Sequence, residues 1–228
     1  MKAKRRFNIG LWVLLCVPCL LASCDHDVHD GEEEGGLSVS LTWADKADEG
    51  TDVKDVKLWI FDADKGSMIE EKHYGSTEEV ASQRFQLPEG TYCIQTFSNL
   101  TEPFFISEQT RALTNWNNIL IGLTNPKDVR NNAYFGVTDV KIDNKEGNYV
   151  VQTQKKKVLA ELTIIIENIP KGTEMSGKAL DCAWCLFPTQ KNSDGDYGLP
   201  SIEPTEVELP TLLATESTLK SEVIRLMP

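Results

Sequence analysis

The feature that most constrains this chain is apolar alternation with a period of two. Leu37, Val39, Leu41 and Trp43 fall on one face of an extended segment, and Ser38, Ser40 and Thr42 on the other. That is the side-chain geometry of a strand with one buried face. Val56, Leu58 and Ile60 repeat the pattern, with Trp59 and Phe61 opposite; a strand apolar on both faces belongs in the middle of a covered sheet. The clearest alternation runs from Val158 to Glu167. Val158, Ala160, Leu162, Ile164 and Ile166 share a face, Glu161, Thr163 and Glu167 share the other, and Asn168-Ile169-Pro170-Lys171-Gly172 ends the run. Ala133 to Ile142 reads as another strand, and more are expected around Leu180 to Phe187, Thr205 to Leu209 and Glu222 to Met227. Phe85 and Leu87 before Pro88-Glu89-Gly90, with Tyr92, Ile94 and Thr96 after it, predict a hairpin.

Helical signals are sparse. Ser76 and Glu79 fit a capping box and predict a short helix from Thr77 to Ser82. Thr101 to Trp116 is poorly periodic and reads as a long loop with some helix. Two strand-rich sandwiches therefore make the expected architecture.

Little in the chain points to catalysis. No GxSxG, HExxH or glycine-rich phosphate loop occurs. Asp62-Ala63-Asp64-Lys65-Gly66 has the opening spacing of a calcium loop, but its glycine comes one position early and no Glu closes twelve residues. A tight turn is the expected structure there. His26 and His29 lie on an acidic stretch with nothing to orient them as ligands, and only His73 follows. Cys182-Ala183-Trp184-Cys185 has redox spacing, yet a reactive pair needs a helix N-terminus. Here alternation predicts a strand, in which residues three apart point to opposite faces. Of the tryptophans, Trp43, Trp59 and Trp184 sit in strand patterns. Trp116, beside Asn115, Asn117 and Asn118, is the best candidate for a sugar contact, although packing onto a sandwich is the more ordinary role of such a residue. No cofactor and no metal is expected, and the chain is not expected to be an enzyme.

The N-terminus carries a different kind of signal. Lys2, Lys4, Arg5 and Arg6 precede an apolar stretch from Ile9 to Leu21. At 13 residues it is shorter than the roughly 20 needed to span a bilayer, and it has the build of an export signal. Its end, Leu21-Ala22-Ser23-Cys24, resembles the lipobox of bacterial lipoproteins. That resemblance implies peptidase recognition of Leu21, Ala22 and Ser23, cleavage before Cys24, and covalent lipid on the Cys24 sulfur. Each buried acyl methylene contributes about 0.8 kcal/mol, so two or three chains hold a soluble domain at a membrane. Six of the ten residues from Asp25 to Glu34 are acidic, too polar to order by burial, so 24–36 reads as a solvated tether. Acidic residues behind a lipidated cysteine also resemble the surface-export signal of Bacteroidetes lipoproteins, which implies a cell outer membrane protein facing outward.

Loss of residues 1–23 removes four of the 23 basic residues and none of the 35 acidic ones, leaving 19 minus 35, or −16. Such a chain does not bind nucleic acid electrostatically. Only Cys93, Cys182 and Cys185 follow Cys24, an odd and low number that argues against a disulfide scaffold.

Four stretches together carry a family resemblance: Leu21 to Cys24, Val56-Lys57-Leu58-Trp59-Ile60-Phe61-Asp62, the Phe85 to Phe97 segment, and Ala133-Tyr134-Phe135-Gly136-Val137. Val158 to Pro170 adds a fifth. In this order they resemble the fimbrial-anchor branch of the fimbrillin superfamily, lipoproteins of Bacteroidales. The resemblance implies two transthyretin/immunoglobulin-like sandwiches, expected at 37–150 and 151–228, the second short or incomplete. It also implies fimbrial subunits as partners, joined by strand addition. Stalk subunits of that family are released by cleavage after an arginine behind the lipid site. No arginine occurs between Arg6 and Arg84, which favours a subunit kept at the membrane. A surface lipoprotein that binds glycans for polysaccharide uptake, or a host-surface ligand, is the alternative expectation.

Overall fold

The structure is a computed structural model that describes residues 35–107, 116–125, 129, 131–201, 203 and 205–227. The described residues from 35 onward belong to one compact unit, and its regular secondary structure is nearly all strand. The strands are β1 (Gly36–Trp43), β2 (Val56–Asp62), β3 (Met68–Tyr74), β4 (Gly90–Ser98), β5 (Phe104–Ile106), β6 (Ile121–Leu123), β7 (Tyr134–Ile142) and β8 (Asn148–Lys157). They continue with β9 (Ala160–Leu162), β10 (Ile165–Glu167), β11 (Glu174–Met175), β12 (Lys178–Cys182), β13 (Cys185–Lys191) and β14 (Tyr197–Pro200). The last four are β15 (Thr205–Glu208), β16 (Leu212–Leu213), β17 (Thr218–Lys220) and β18 (Ile224–Leu226); among the described residues one α-helix, α1, spans Thr77–Ala81, and single 3-10 turns cover Lys46–Asp48 and Trp116–Asn118.

A six-stranded sheet in the order β1-β8-β7-β4-β2-β3 is the frame. All its pairings are antiparallel except β1 with β8. Both of its faces are covered. On one, Trp59, Phe61, Cys93, Phe97 and Phe135 meet Phe104, Ile121 and Leu186 from a four-stranded sheet, β14-β13-β6-β5, and Ala183 just before β13. On the other, Leu37, Val39, Leu58, Ile60 and Ile94 pack under Val80 of α1 and under Phe85 and Leu87. The two-faced apolar pattern of β2 has this cause. Burying each such Leu, Ile or Phe contributes about 1.5–3 kcal/mol before entropy is charged against it.

Local signals worked where the chemistry is local. Asp62 Oδ1 accepts from the backbone N–H groups of Asp64 (3.0 Å) and Lys65 (2.9 Å), and Gly66 adopts φ 70°, so the acidic pair closes a turn. Ser76 Oγ accepts from Glu79 N (3.3 Å), while the Glu79 carboxylate reaches back to Gly75 N (2.7 Å), one residue beyond a standard capping box.

Two readings need correction. The Phe85–Leu87 segment does not form a hairpin with β4, because both edges of β4 are already taken by β2 and β7. Phe85 makes an isolated bridge to Leu37 instead, and its alternation with Leu87 reflects two side chains plugging the second core. The Val158–Glu167 run is not one strand. Val158 and Leu159 are buried in the sandwich core, and the chain then continues as the separate strands β9 and β10. The border expected between residues 150 and 151 falls inside β8, and β13 and β14, from beyond that border, complete the second sheet.

Candidate partner-binding surface

Residues 160–182 and 205–226 build a two-stranded antiparallel ribbon. Ala160 pairs with Leu226, Ile165 with Lys220, Glu174 with Leu213, Lys178 with Glu208 and Cys182 with Thr205. Each pairing resumes where the last stops. Backbone bonds fill the intervals: Ser221 N to Ile164 O (2.9 Å), Ile169 N to Ser217 O (3.2 Å), Ala214 N to Thr173 O (2.9 Å) and Leu209 N to Gly177 O (2.9 Å). The interruptions fall where side chains or backbone angles demand them. Ser221 Oγ takes the Ile164 N–H (2.9 Å), and Asn168, Gly172 and Asp181 have φ of 60°, 86° and 56°.

Every sheet in this ribbon has two strands, so among the described residues both its outer edges lack a neighbouring strand. It also exposes large apolar side chains: Ile165 at 56%, Leu180 at 63%, Leu213 at 62% and Val223 at 47%. Open edges flanked by apolar side chains are what a further strand covers.

A polar network ties the ribbon's base to the sandwich. Lys157 Nζ lies 3.0 Å from the buried Asp48 carboxylate and 3.6 Å from Glu161. Arg225 Nε donates to Glu161 Oε1 (3.2 Å) and Asn132 Oδ1 (2.8 Å), and Asn132 Nδ2 donates to Glu161 (3.2 Å). The Asn132 hydrogen bond, with help from Lys157 and Arg225, holds the Glu161 carboxyl below its usual range. Outside the ribbon, Tyr197 of β14 donates to Asp139 Oδ2 of β7 (2.6 Å). Burial first, and that hydrogen bond second, raise the Tyr197 phenol. Beside it lies a cavity of about 230 Å³ lined by Phe135, Thr138, Gln152, Gln154, Lys156 and Tyr197, among others.

Leu21, Ala22, Ser23 and Cys24 lie outside the described residues, as do His26 and His29. Cys93, Cys182 and Cys185 are all free and buried, and Cys182 and Cys185 sit on different strands. Burial raises all three thiols, Cys93 to about 12. Trp116 packs against the sandwich core, and its carbonyl accepts from Thr189 Oγ1 (2.8 Å). Trp184 is 40% exposed. Lys155, a buried residue that sequence reading passed over, lies with its Nζ 3.8 Å above the Trp43 ring. No group of three or more metal-ligating side chains occurs among the described residues, and no described helix is long and apolar enough to cross a membrane.

Solved structures share this fold. The fimbrial anchor protein Mfa2 from Porphyromonas gingivalis superposes with a TM-score of 0.62 at 14% identity, over 84% of this chain and 72% of that one. A protein assigned as an adhesin from Bacteroides thetaiotaomicron gives 0.58 at 13% identity, over 84% and 69%. One assigned to polysaccharide binding from the same organism gives 0.57 at 11%, over 82% and 71%. No curated protein sequence matches. At these identities the likeness is one of fold, and the fold class is that of the Bacteroidales β-sandwich proteins of fimbriae and adhesion. The model of the Fimbrillin-A associated anchor proteins Mfa1 and Mfa2 matches residues 24–195, and the chain belongs to that family. Its members are fimbrial anchors and adhesins, associated with the cell surface and with other fimbrial subunits, and are not an enzymatic kind of protein.

Proposed function

We propose that this chain is an outer-membrane surface lipoprotein that anchors a fimbria or serves as a minor fimbrial subunit. In this reading Cys24 carries the lipid, Leu21, Ala22 and Ser23 present the cleavage site, and the acidic residues to Gly36 let the sandwich stand off the membrane. Partner subunits bind by adding a strand to the open edge of the 160–182/205–226 ribbon. The observation that carries the mechanism is that ribbon: paired backbone, two edges without a neighbouring strand among the described residues, and Ile165, Leu180, Leu213 and Val223 exposed along it. Main-chain bonds would supply affinity and the apolar side chains specificity.

The experiment is deletion of the gene, complemented by wild type or by Cys24→Ala, with cell surface and culture supernatant inspected for filaments. Shed or missing filaments in the deletion, restored by wild type but not by Cys24→Ala, are expected. Unchanged filaments in the deletion would remove the anchoring role.

A glycan-binding role is the second reading, favoured by the polar cavity with Phe135 and Tyr197 in its wall. Amide and charged side chains around an aromatic ring suit a sugar. Titration with oligosaccharides against wild type and Gln152→Ala separates it: binding lost in the variant supports it, and no heat of binding in either disposes of it.

A further inference from the structure

β1 is where the N-terminal segment enters the sandwich, since residue 35 runs straight into Gly36. The strand lies at the sheet's edge, and among the described residues β8 is its one full-length partner. The two pair in parallel over eight residues, from Gly36↔Asn148 to Trp43↔Lys155, without a bulge. Bonds just outside each end set the phase. Gly36 N donates to Gly147 O (2.8 Å) and Ala44 N to Lys155 O (3.0 Å), so the even-numbered residues of β1 direct their N–H groups at β8. Leu37 N, of opposite phase, donates to Phe85 O (2.9 Å) on the other side.

β8 leaves the sheet at its own C-terminal end, through Val158 and Leu159, straight into the ribbon. In a parallel pair that end lies away from the start of β1, by about 26 Å over eight residues at roughly 3.3 Å each. Tension between the N-terminal segment and the ribbon therefore draws β1 toward its start and β8 toward its end. The strands must slide past one another, and the ladder bonds are loaded together. Had β1 run antiparallel, its start would sit beside the exit to the ribbon, and the same pull would open the bonds one at a time.

We propose that the β1–β8 pair is a shear clamp, the force-bearing joint between the tether and the partner-binding ribbon; this rests on the anchoring reading above. Both strands are secured against the slide. Leu37 and Val39 are fully buried beneath α1 and Phe85, and Arg84 and Gln86 donate to Ser38 Oγ and Gly35 O. The exit end of β8 is pinned by pairing of Tyr134 with Lys157 and Phe135 with Lys156, by Val158 N to Ala133 O (2.9 Å), and by Lys157 on Asp48 (3.0 Å). Fimbriae in flowing liquid deliver this load, and resistance to it is set by the unfolding rate under force rather than by equilibrium stability.

Single-molecule force spectroscopy on the whole chain tests the clamp. The molecule is held by its N-terminal segment and pulled from a handle at Glu216→Cys in the ribbon or, separately, at Lys145→Cys in the β7–β8 turn beside the start of β1. A severalfold higher unfolding force from the ribbon handle is expected. Ser40→Pro, which deletes one β1–β8 ladder bond, lowers the ribbon-handle force and leaves the turn-handle force unchanged. Ser40→Ala, which removes only the side-chain bond to Val151 O (3.3 Å), serves as the folded control and changes neither. Equal forces from the two handles, or a lower one from the ribbon, would overturn the proposal. Because purified protein is used, a failed clamp and a failed anchor in cells are separate results.

Discussion

Gly136 sits in β7 where a Cβ would meet Thr153 Cγ2 at 2.5 Å, Gln154 O at 2.9 Å and Thr96 Oγ1 at 2.9 Å. Two of these contacts come from β8, so the residue governs how closely β7 and β8 approach. Gly136→Ala is expected to cost about 1–3 kcal/mol, as overpacking in a filled core does, read as a lower denaturation midpoint at unchanged slope. Glu161 is the titrating residue of the ribbon base. Its carboxyl is held low in the folded state, chiefly by Asn132, against an unfolded value of about 4.3. Its contribution is thus present above that value and lost as pH falls through the lower folded one. Acid titration of the wild type is expected to lose stability in that window, and Glu161→Gln to lose less of it; identical acid limbs would refute the assignment. Cys93 makes a third case, since with its thiol raised to about 12 by burial it should resist maleimide at pH 8 until the chain unfolds.

At the scale of elements, the ribbon's outer face separates folding from binding. Ile165 and Leu213 are more than half exposed, so Ile165→Lys and Leu213→Lys should shift stability by no more than about 0.5 kcal/mol. Capture of purified fimbrial subunits should nevertheless fall sharply, and retained capture would move the binding edge elsewhere. Elements also show what local sequence can and cannot carry. β2 was legible because each of its faces meets a different apolar layer. β8 was not, because its buried positions include Thr153 and Lys155, which hide the apolar period. Lys155 tolerates burial by laying its ammonium over Trp43, a contact no spacing rule anticipates. The Phe85–Leu87 alternation was real but served a plug rather than a ladder, since alternation reports which way side chains point and not which backbone is bonded.

For the molecule as a whole, the class of fold was legible and its closure was not. Pairing of β13 with β6 joins Leu186 to Ile121, a contact far apart in sequence that no window of residues can register. The same is true of the candidate site: the apolar run from Val158 was visible, whereas the exposure of Leu162 and Ile165 depends on pairing with Ile224 and Lys220, some sixty residues on, and on no second strand beside them among the described residues. Stability should be graded accordingly. Amide exchange is expected to be slowest in β2, β4 and β7, bonded on both sides, and faster in 160–182 and 205–226, where each arm has one partner. Uniform protection across both regions would contradict this grading.

The hairpin of β13 and β14 supplies half of the second sheet, although it follows β5 and β6 by some sixty residues. Made from its N-terminus, the chain must therefore wait. Trp59, Phe61 and Phe97 have only the Phe104 and Ile121 half of their lid until Ala183 and Leu186 have been added, so the layer that covers them is completed late. The nascent chain is therefore expected to present a half-covered hydrophobic face for much of its synthesis, which suits it to recognition by holding chaperones.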